Sequence, residues 1–187
     1  MIHLNKAVRI DSFDKLQQKH IRIEDIARNL SLQTRFCGTT GIFYSVAEHS
    51  VIVSKFCGKD ARRASLLHDA HEAYIGDIIR PVAMELNISH ALQDLKLLID
   101  GTIFRKFNCT YEEKFLKEVQ EVDDFVLCAE RLHFFSSFKA SEIPCYSIVE
   151  SRVQECKEMI NCLSPKEAEK LFLERYNDVF NKDVSVV

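Results

Sequence analysis

Three side chains near the middle of the sequence have the types and the spacing to bind a metal ion or to transfer a proton. His68 and Asp69 are adjacent, and Glu72 follows them by four and three residues. On one helix this spacing lets all three side chains lean toward the same face. Imidazole and carboxylate ligands suit borderline divalent cations such as Zn²⁺, Mn²⁺, Fe²⁺ or Co²⁺. The alternative, which the His-Asp pair alone favours, is a polar helix end with a His–Glu pair.

A further candidate ligand, His49, lies on the predicted helix that precedes this group. A single histidine on an apolar stripe is more often a core residue with a hydrogen-bond partner than a ligand. However, consecutive helices usually pack together, and two buried histidines on neighbouring helices suit a metal ion. The neighbours of His49 at helical spacing are largely apolar, which predicts that its imidazole faces the interior: Ile42, Ser45, Val46, Ile52, Val53 and Phe56.

The fourth ligand is expected from a later helix, where Asp123 and Asp124 are adjacent. The helical neighbours of Asp123 are apolar, whereas most neighbours of Asp124 are polar or charged. A carboxylate on an apolar stripe needs a compensating cation, because burying it unpaired costs several kcal/mol or forces it to take up a proton. A metal ion supplies that cation, so we predict Asp123 as the ligand.

Asp77 directly follows Gly76, where the helix of His68 is predicted to end. One interpretation is a plain helix-terminating turn. The other is a carboxylate that projects from a rigid turn into the same cleft. In that case Glu72 and Asp77 form an acid–base pair that orients water or protonates a leaving oxygen.

Helices must position these ligands, and the sequence has helical patterning almost throughout. Five glycines and three prolines among 187 residues disfavour a turn-rich β fold. We predict one all-α domain over residues 1–187, with an irregular lead-in over about 1–22 and a frayed C-terminal end. Ser45, Thr110 and Ser164 are the predicted helix N-caps, and Gly76 and Pro81 are predicted to stop the helix of His68. The predicted helices cover residues 23–32, 46–56, 60–75, 88–107, 110–135, 147–160 and 165–180.

Composition limits the possible partners. A net charge of -3 and a pI near 6.2 provide no basic surface for duplex nucleic acid, although local cations or a metal could still hold a small anion. Seven cysteines without a CxxC pair indicate a reducing cytoplasm and neither a disulfide framework nor a zinc ribbon. We expect no membrane association, because there is no apolar signal segment and no apolar run of spanning length.

The assembled residues resemble the HD phosphohydrolase superfamily, whose signature H…HD…D corresponds here to His49, His68-Asp69 and Asp123. Segments within 23–36, 43–50, 66–81 and 163–173 are similar to bacterial and phage HD nucleotidases, so the resemblance covers nearly the whole chain. Within the superfamily, the sequence resembles two groups. These are the bacterial 5′-deoxynucleotidases and the phage dATP triphosphohydrolases, which release triphosphate from deoxynucleoside triphosphates. The resemblance implies an HD-domain helical bundle that forms a homo-oligomer, for which the apolar helix 88–107 could supply an interface.

The same resemblance implies roles for further residues. Glu72 and Asp77 would assist the attack, and Arg35 and Arg80 would contact phosphate. Phe36, Gly38 and Pro81 would line the nucleoside pocket, with Phe36 stacking on the base unless it is a core residue. The chain departs from many relatives, which carry histidine, proline and a basic residue at the positions of Thr39, Ile79 and Ala83.

We therefore expect hydrolysis of a phosphoester in a 2′-deoxyribonucleotide, releasing triphosphate from dNTPs or phosphate from dNMPs. A divalent metal would polarise the phosphoryl oxygen and lower the pKa of a bound water. Four protein ligands leave room for water or substrate only at a higher coordination number, which favours Co²⁺, Mn²⁺, Fe²⁺ or Mg²⁺ over a closed Zn²⁺ site. The alternatives are a cyclic-nucleotide or alarmone hydrolase and a catalytically silent module that binds nucleotide or protein. The expected location is the cytoplasm of a bacterium or of a phage-infected host.

Overall fold

The computed structural model describes residues 1–5, 7–109, 112–143 and 146–181, with the backbone alone for 146–149. Helices form 67% of it, and the strands of the described part are one two-residue antiparallel pair, which confirms the all-α, single-domain prediction. The elements are β1 Ile2–His3, β2 Arg9–Ile10, α1 Ile23–Leu32, α2 Val46–Phe56, α3 Arg62–Leu66, α4 Glu72–Ile75, α5 Arg80–Glu85, α6 Ser89–Phe107, α7 Glu113–Phe134, α8 Tyr146–Glu158 and α9 Pro165–Phe180.

Helix α2 is the centre of the fold. Every residue from Val46 to Ser54 is buried, because α1, α3, α7 and α9 all pack against it. The predicted apolar face of α1 is also buried, through Ile26, Ala27 and Leu30. A polar side chain in this part of α2 therefore lies in the interior whichever way it points, and it needs a partner there.

Capping side chains fix the ends of two helices as predicted. Ser45 Oγ accepts a hydrogen bond from the Glu48 backbone N–H at 3.1 Å at the start of α2. Before α9, the carboxylate of Glu167 accepts from the N–H and the hydroxyl of Ser164, at 3.0 and 2.5 Å. Thr110 lies outside the described residues, as do Pro144 and the C-terminal residues 182–187, and α7 begins after Glu112.

A buried carboxylate joins α2 to the segment that leads into α9. Glu48 is fully buried and accepts hydrogen bonds from three consecutive backbone N–H groups. These belong to Asn161 at 2.7 Å, Cys162 at 3.1 Å and Leu163 at 2.9 Å. The C-terminal part of the chain is thus held to the residue that precedes His49.

The predicted single helix over 60–75 is wrong. The structure has two short helices, α3 and α4, and the turns between them contain His68 and Asp69. In these turns Leu67 N–H donates to Ala64 O and Ala70 N–H to Leu67 O, both three residues back. This winding is tighter than that of an α-helix, and apolar spacing over a single turn does not distinguish the two.

Pro81 was predicted to stop a helix, but it lies in the first turn of α5. Proline suits that position because it lacks the N–H that the first turn leaves unbonded. Gly76 ends α4 as predicted, at a φ of 82° that favours glycine.

The lead-in is largely irregular, as predicted, although it contains the β1–β2 pair and two short 3₁₀ turns. Its apolar residues Leu4, Ile10, Leu16 and Ile21 are buried, so the segment forms part of the core. In the described residues no helix is both long enough and apolar enough to cross a bilayer.

Candidate metal centre

Two imidazoles and two carboxylates meet between α2, the turns after α3, and α7. His49 Nε2 lies 3.0 Å from Asp123 Oδ1 and 3.6 Å from Asp69 Oδ2. His68 Nε2 lies 3.1 Å from Asp69 Oδ2 and 3.7 Å from Asp123 Oδ1. Ligand atoms of His49, His68 and Asp123 all lie within 4.8 Å of one another, so this group could hold a metal ion.

In both histidines, the ring nitrogen that faces away from this group already has a hydrogen-bond partner. His49 Nδ1 lies 2.7 Å from Glu130 Oε1, and His68 Nδ1 lies 2.7 Å from the backbone oxygen of Ser65. Both oxygens accept hydrogen bonds, so each Nδ1 carries the proton and donates it. This leaves the Nε2 lone pair of each neutral ring directed toward the centre.

Both Nε2 atoms are buried and have no hydrogen-bond partner among the described residues. The nearest carboxylate oxygens are Asp123 Oδ1, 3.0 Å from His49 Nε2, and Asp69 Oδ2, 3.1 Å from His68 Nε2. Lone pairs that face carboxylates at this distance repel unless a proton or a cation lies between them. The donor set of two imidazoles and two carboxylates therefore fits a divalent metal ion.

The pKa shifts of these four residues also indicate that positive charge stabilises the group. Burial alone would lower the pKa of His68, but the carboxylates of Asp69 and Asp123 raise it well above its ordinary value. Burial would raise the pKa of Asp123, yet its contacts with both histidines lower it strongly. Asp69 behaves in the same way, with His68 as the main cause of its lowered pKa. In the absence of a metal, protons on the imidazoles supply the positive charge.

Glu130 contacts His49 on the side of the imidazole ring that faces away from the centre. Its carboxylate is fully buried and accepts from His49 and from the Tyr44 hydroxyl, each at 2.7 Å. Arg35 donates to it through Nε at 3.2 Å and Nη2 at 3.0 Å. Burial would raise the pKa of Glu130, but Arg35 and His49 hold it below its ordinary value. Every lone-pair region of the carboxylate is therefore occupied, and the imidazole of His49 is fixed in orientation.

Glu72 and Asp77 both interact electrostatically with Asp69, a predicted metal ligand. Glu72 is buried, and its Oε2 has no hydrogen-bond partner among the described residues. Burial raises the pKa of Glu72 well above its ordinary value, and the charges of Asp69 and Asp77 raise it further. Burial also raises the pKa of Asp77, which Arg35 opposes. The two predicted acid–base residues therefore share one electrostatic environment with the metal-binding group.

The centre is closed at His49 and partly open at its other three residues. The side chain of His49 is 0% exposed, whereas those of His68, Asp69 and Asp123 are 12%, 17% and 26% exposed. The adjacent Asp124, which was not chosen as the predicted ligand, is exposed and accepts a hydrogen bond from Gln120. Solvent therefore reaches the centre through His68, Asp69 and Asp123.

The predicted substrate contacts divide into two groups. Arg35 faces the centre, with Nη1 3.8 Å from Asp69 Oδ2, and its guanidinium lies 5.5 Å from the ring centroid of Phe36. Arg80 and Pro81 lie on the exposed first turn of α5. In the described part of the chain neither of them forms an ion pair or a hydrogen bond with the metal-centre residues.

The backbone at Phe36 is unusual. Phe36 and Cys37 have φ values of 53° and 51°, in the left-handed region that non-glycine residues rarely adopt, and Gly38 follows at 75°. Such strain costs about 1–3 kcal/mol per residue and is concentrated at functional sites. The partly exposed ring of Phe36 packs edge-on against Phe135 at 5.3 Å between centroids. It is therefore neither a simple core residue nor a freely exposed one.

Sequence reasoning did not identify Tyr44, His71, Asp100 or Glu130 as parts of this region. For Glu130 a signal was present, since it follows Asp123 by seven residues and so lies on the same face of α7. The contact of His71 with Asp100, at 3.1 Å, had no comparable signal, because it joins a turn to a distant helix.

No family model matches the chain. The chain is 31% identical over 172 residues to the uncharacterized protein YfdR of Escherichia coli, covering 89% of each sequence. It is also 40% identical over 98 residues to the uncharacterized protein RCAP_rcc00048 of Rhodobacter capsulatus, covering 48% of this chain and 50% of that protein.

Proposed function

We propose that this chain, which belongs to the same family as YfdR of Escherichia coli, is a metal-dependent phosphohydrolase of the HD superfamily. Its proposed substrates are 2′-deoxyribonucleotides in the cytoplasm, from which it releases triphosphate or phosphate. The observation that carries the proposal is the pair of buried, unbonded Nε2 atoms of His49 and His68, which converge on Asp69 and Asp123. This is the H…HD…D set that the sequence resemblance predicts.

The open side of the centre supports a catalytic function over a structural one. A structural metal site is closed by protein ligands, whereas a catalytic site keeps a position that substrate or water can reach. Here His49 is fully buried, while the side chains of His68, Asp69 and Asp123 remain partly exposed. The divalent metal would supply Lewis acidity toward a phosphoryl oxygen.

The chain's own side chains would orient the substrate and move the proton. Arg35 is held by Glu130 through Nε and Nη2, which leaves Nη1 as the donor for a phosphate oxygen beside Asp69. Asp77 and Glu72 have raised pKa values and so hold a proton more readily than ordinary carboxyl groups. Either one could pass a proton to the leaving oxygen. The partly exposed ring of Phe36 is available to stack on a base.

The test is a product-resolved assay of metal-stripped protein on the four dNMPs and the four dNTPs, with Mg²⁺, Mn²⁺ or Co²⁺ added back. We expect phosphate or triphosphate to be released only when metal is present. The matched variants are Asp123→Asn, which removes a proposed ligand, and Asp124→Asn, which changes its exposed neighbour. Activity should be lost in the first and retained in the second.

Two outcomes would overturn the proposal. Hydrolysis of cyclic nucleotides or alarmones in the same assay, without cleavage of deoxynucleotides, would identify a different HD hydrolase. Metal binding by a folded protein that is inactive on every substrate and with every metal would indicate a silent nucleotide-binding module.

A further inference from the structure

His71 is a buried histidine that the proposed hydrolase centre does not use. It is 5% exposed and lies at the start of α4, next to Glu72 in the sequence. Its Nδ1 lies 3.1 Å from both carboxylate oxygens of Asp100 on α6. Its Nε2 is buried and has no hydrogen-bond partner among the described residues.

This arrangement repeats the pattern seen at His49. There, a carboxylate binds Nδ1 and leaves Nε2 directed at the metal-binding group. At His71 the carboxylate of Asp100 takes the place of Glu130. A second unbonded atom lies close by, because Glu72 Oε2 is also buried without a partner in the described part of the chain, and Glu72 is 6% exposed. Two buried polar atoms without partners are costly unless a ligand satisfies both of them.

We infer that Asp69, His71 and Glu72 form a second divalent-cation site that shares the carboxylate of Asp69 with the first. One ligand atom from each of the three residues lies within 4.8 Å of the other two. Asp69 Oδ2 is at the same time 3.1 Å from His68 Nε2. Asp69 therefore lies between the two groups, where it can bridge two cations. One imidazole and two carboxylates suit Mn²⁺, Fe²⁺ or Mg²⁺ better than a soft metal.

The second site shares Asp69 with the proposed metal centre, so this inference rests on the proposed function. It also changes the role proposed for Glu72. A cation at this site would satisfy Glu72 in place of a proton. Proton transfer would then fall to Asp77, and the second cation would present its open positions to substrate phosphate. Paired metal sites of this kind lie about 3.5–4 Å apart and hold the attacking and leaving oxygens of a displacement.

The test uses the full chain and Mn²⁺ as the probe. Metal-stripped protein is titrated by equilibrium dialysis, and bound metal is measured by mass spectrometry. We expect two Mn²⁺ per chain, with an electron paramagnetic resonance spectrum of two exchange-coupled ions. His71→Asn should bind one Mn²⁺ per chain, with the spectrum of an isolated ion, while the exposed control His90→Asn should bind two.

Two further variants keep the test decisive if His71→Asn does not fold. Asp100→Asn leaves all three ligands in place but loses the carboxylate that orients His71, so the second Mn²⁺ should bind about 10- to 100-fold more weakly. Glu72→Gln should lose the second ion and keep the first. Two coupled ions in both variants, or a single ion in the wild type that His68→Ala removes, would overturn the second site and leave the proposed function standing. No bound metal in the wild type would contradict both.

Discussion

The carboxylate of Glu130 lies 2.7 Å from Nδ1 of His49, and both side chains are fully buried. Such outer contacts orient a ligating imidazole and raise its basicity. The contact thus connects residues that bind no metal, Tyr44 and Arg35, to one that is predicted to do so.

Replacing Glu130 should weaken metal binding without removing a ligand. We expect Glu130→Gln to reduce the affinity for Mn²⁺ about 10- to 100-fold, because the amide holds the imidazole and Arg35 less firmly. Isothermal titration of metal-stripped protein measures the change. Glu121→Gln, an exposed change on the same helix, is the control. Equal affinities in the two variants would show that Glu130 has no part in metal binding.

The same residue should make stability depend on acid pH. Burial would raise the pKa of Glu130, but Arg35 and His49 lower it below its ordinary value of 4.5. A carboxyl group with a lowered folded pKa contributes stability above its unfolded pKa and loses it as the pH falls through the folded value. The difference in unfolding free energy between wild type and Glu130→Gln should therefore be full above about pH 5 and shrink below about pH 4. Urea titrations across this range test it, and a constant difference would contradict it.

Metal removal should lower the melting temperature. A cation that binds only the folded protein, present at about 100 times its Kd, stabilises the fold by about 2.7 kcal/mol. In a chain of this length that corresponds to a rise in Tm of roughly 5–10 °C. Asp69→Asn removes the carboxylate common to both groups and should show little or no response to added metal. If its Tm rises as much as that of the wild type, the cation binds elsewhere.

Asp77 should affect the rate of hydrolysis and leave metal binding intact. It interacts electrostatically with Glu72 and Asp69 but is not a proposed ligand. We expect Asp77→Asn to lower kcat by about 10²- to 10⁴-fold, the usual contribution of a general acid or base, with an unchanged metal content. Asp94→Asn, an exposed change on α6, should keep full activity. A normal kcat in Asp77→Asn would assign proton transfer to another group.

We expect the exposed apolar residues at the end of α5 and on α6 to become buried against a second copy of the chain. Met84 on α5 and Leu86 directly after it are 63% and 62% exposed, and Leu97 on α6 is 57% exposed. Exposed apolar patches of sufficient size mark interaction sites. Light scattering should give the mass of a dimer or a larger oligomer, and a Met84→Glu, Leu86→Glu double variant should shift it toward the monomer. Leu32→Glu on α1 is the control, and a monomeric wild type would refute the prediction.

Sequence patterning predicted the fold where local interactions determine it. The limits of α1 and α9 are as predicted, because apolar spacing and the Ser164–Glu167 contact are encoded within a few residues. The division of 60–75 into α3 and α4 was not predictable, since it depends on how the turns around His68 pack against α2 and α7. Spacing measures neighbours along one helix, and it carries no information on that packing.

The candidate site was predictable to a similar extent. Helical neighbours distinguished Asp123 from Asp124, and the structure has the first partly buried near His49 and the second exposed. Metal ligation by these residues stays a prediction. The partners of the imidazoles come from elsewhere in the chain, as with Asp100 and His71. Such contacts arise from tertiary packing, so no periodicity along the chain reveals them.

The three hydrogen bonds that Glu48 accepts from residues 161–163 also impose an order in time. Helix α2 leaves the ribosome long before these residues are synthesised. Until they arrive, the carboxylate beside His49 lacks the N–H groups that compensate its burial, and α2 lacks the cover of α9. His49 on α2, a predicted metal ligand, therefore reaches its final environment only after residues 161–163 and α9 have been synthesised.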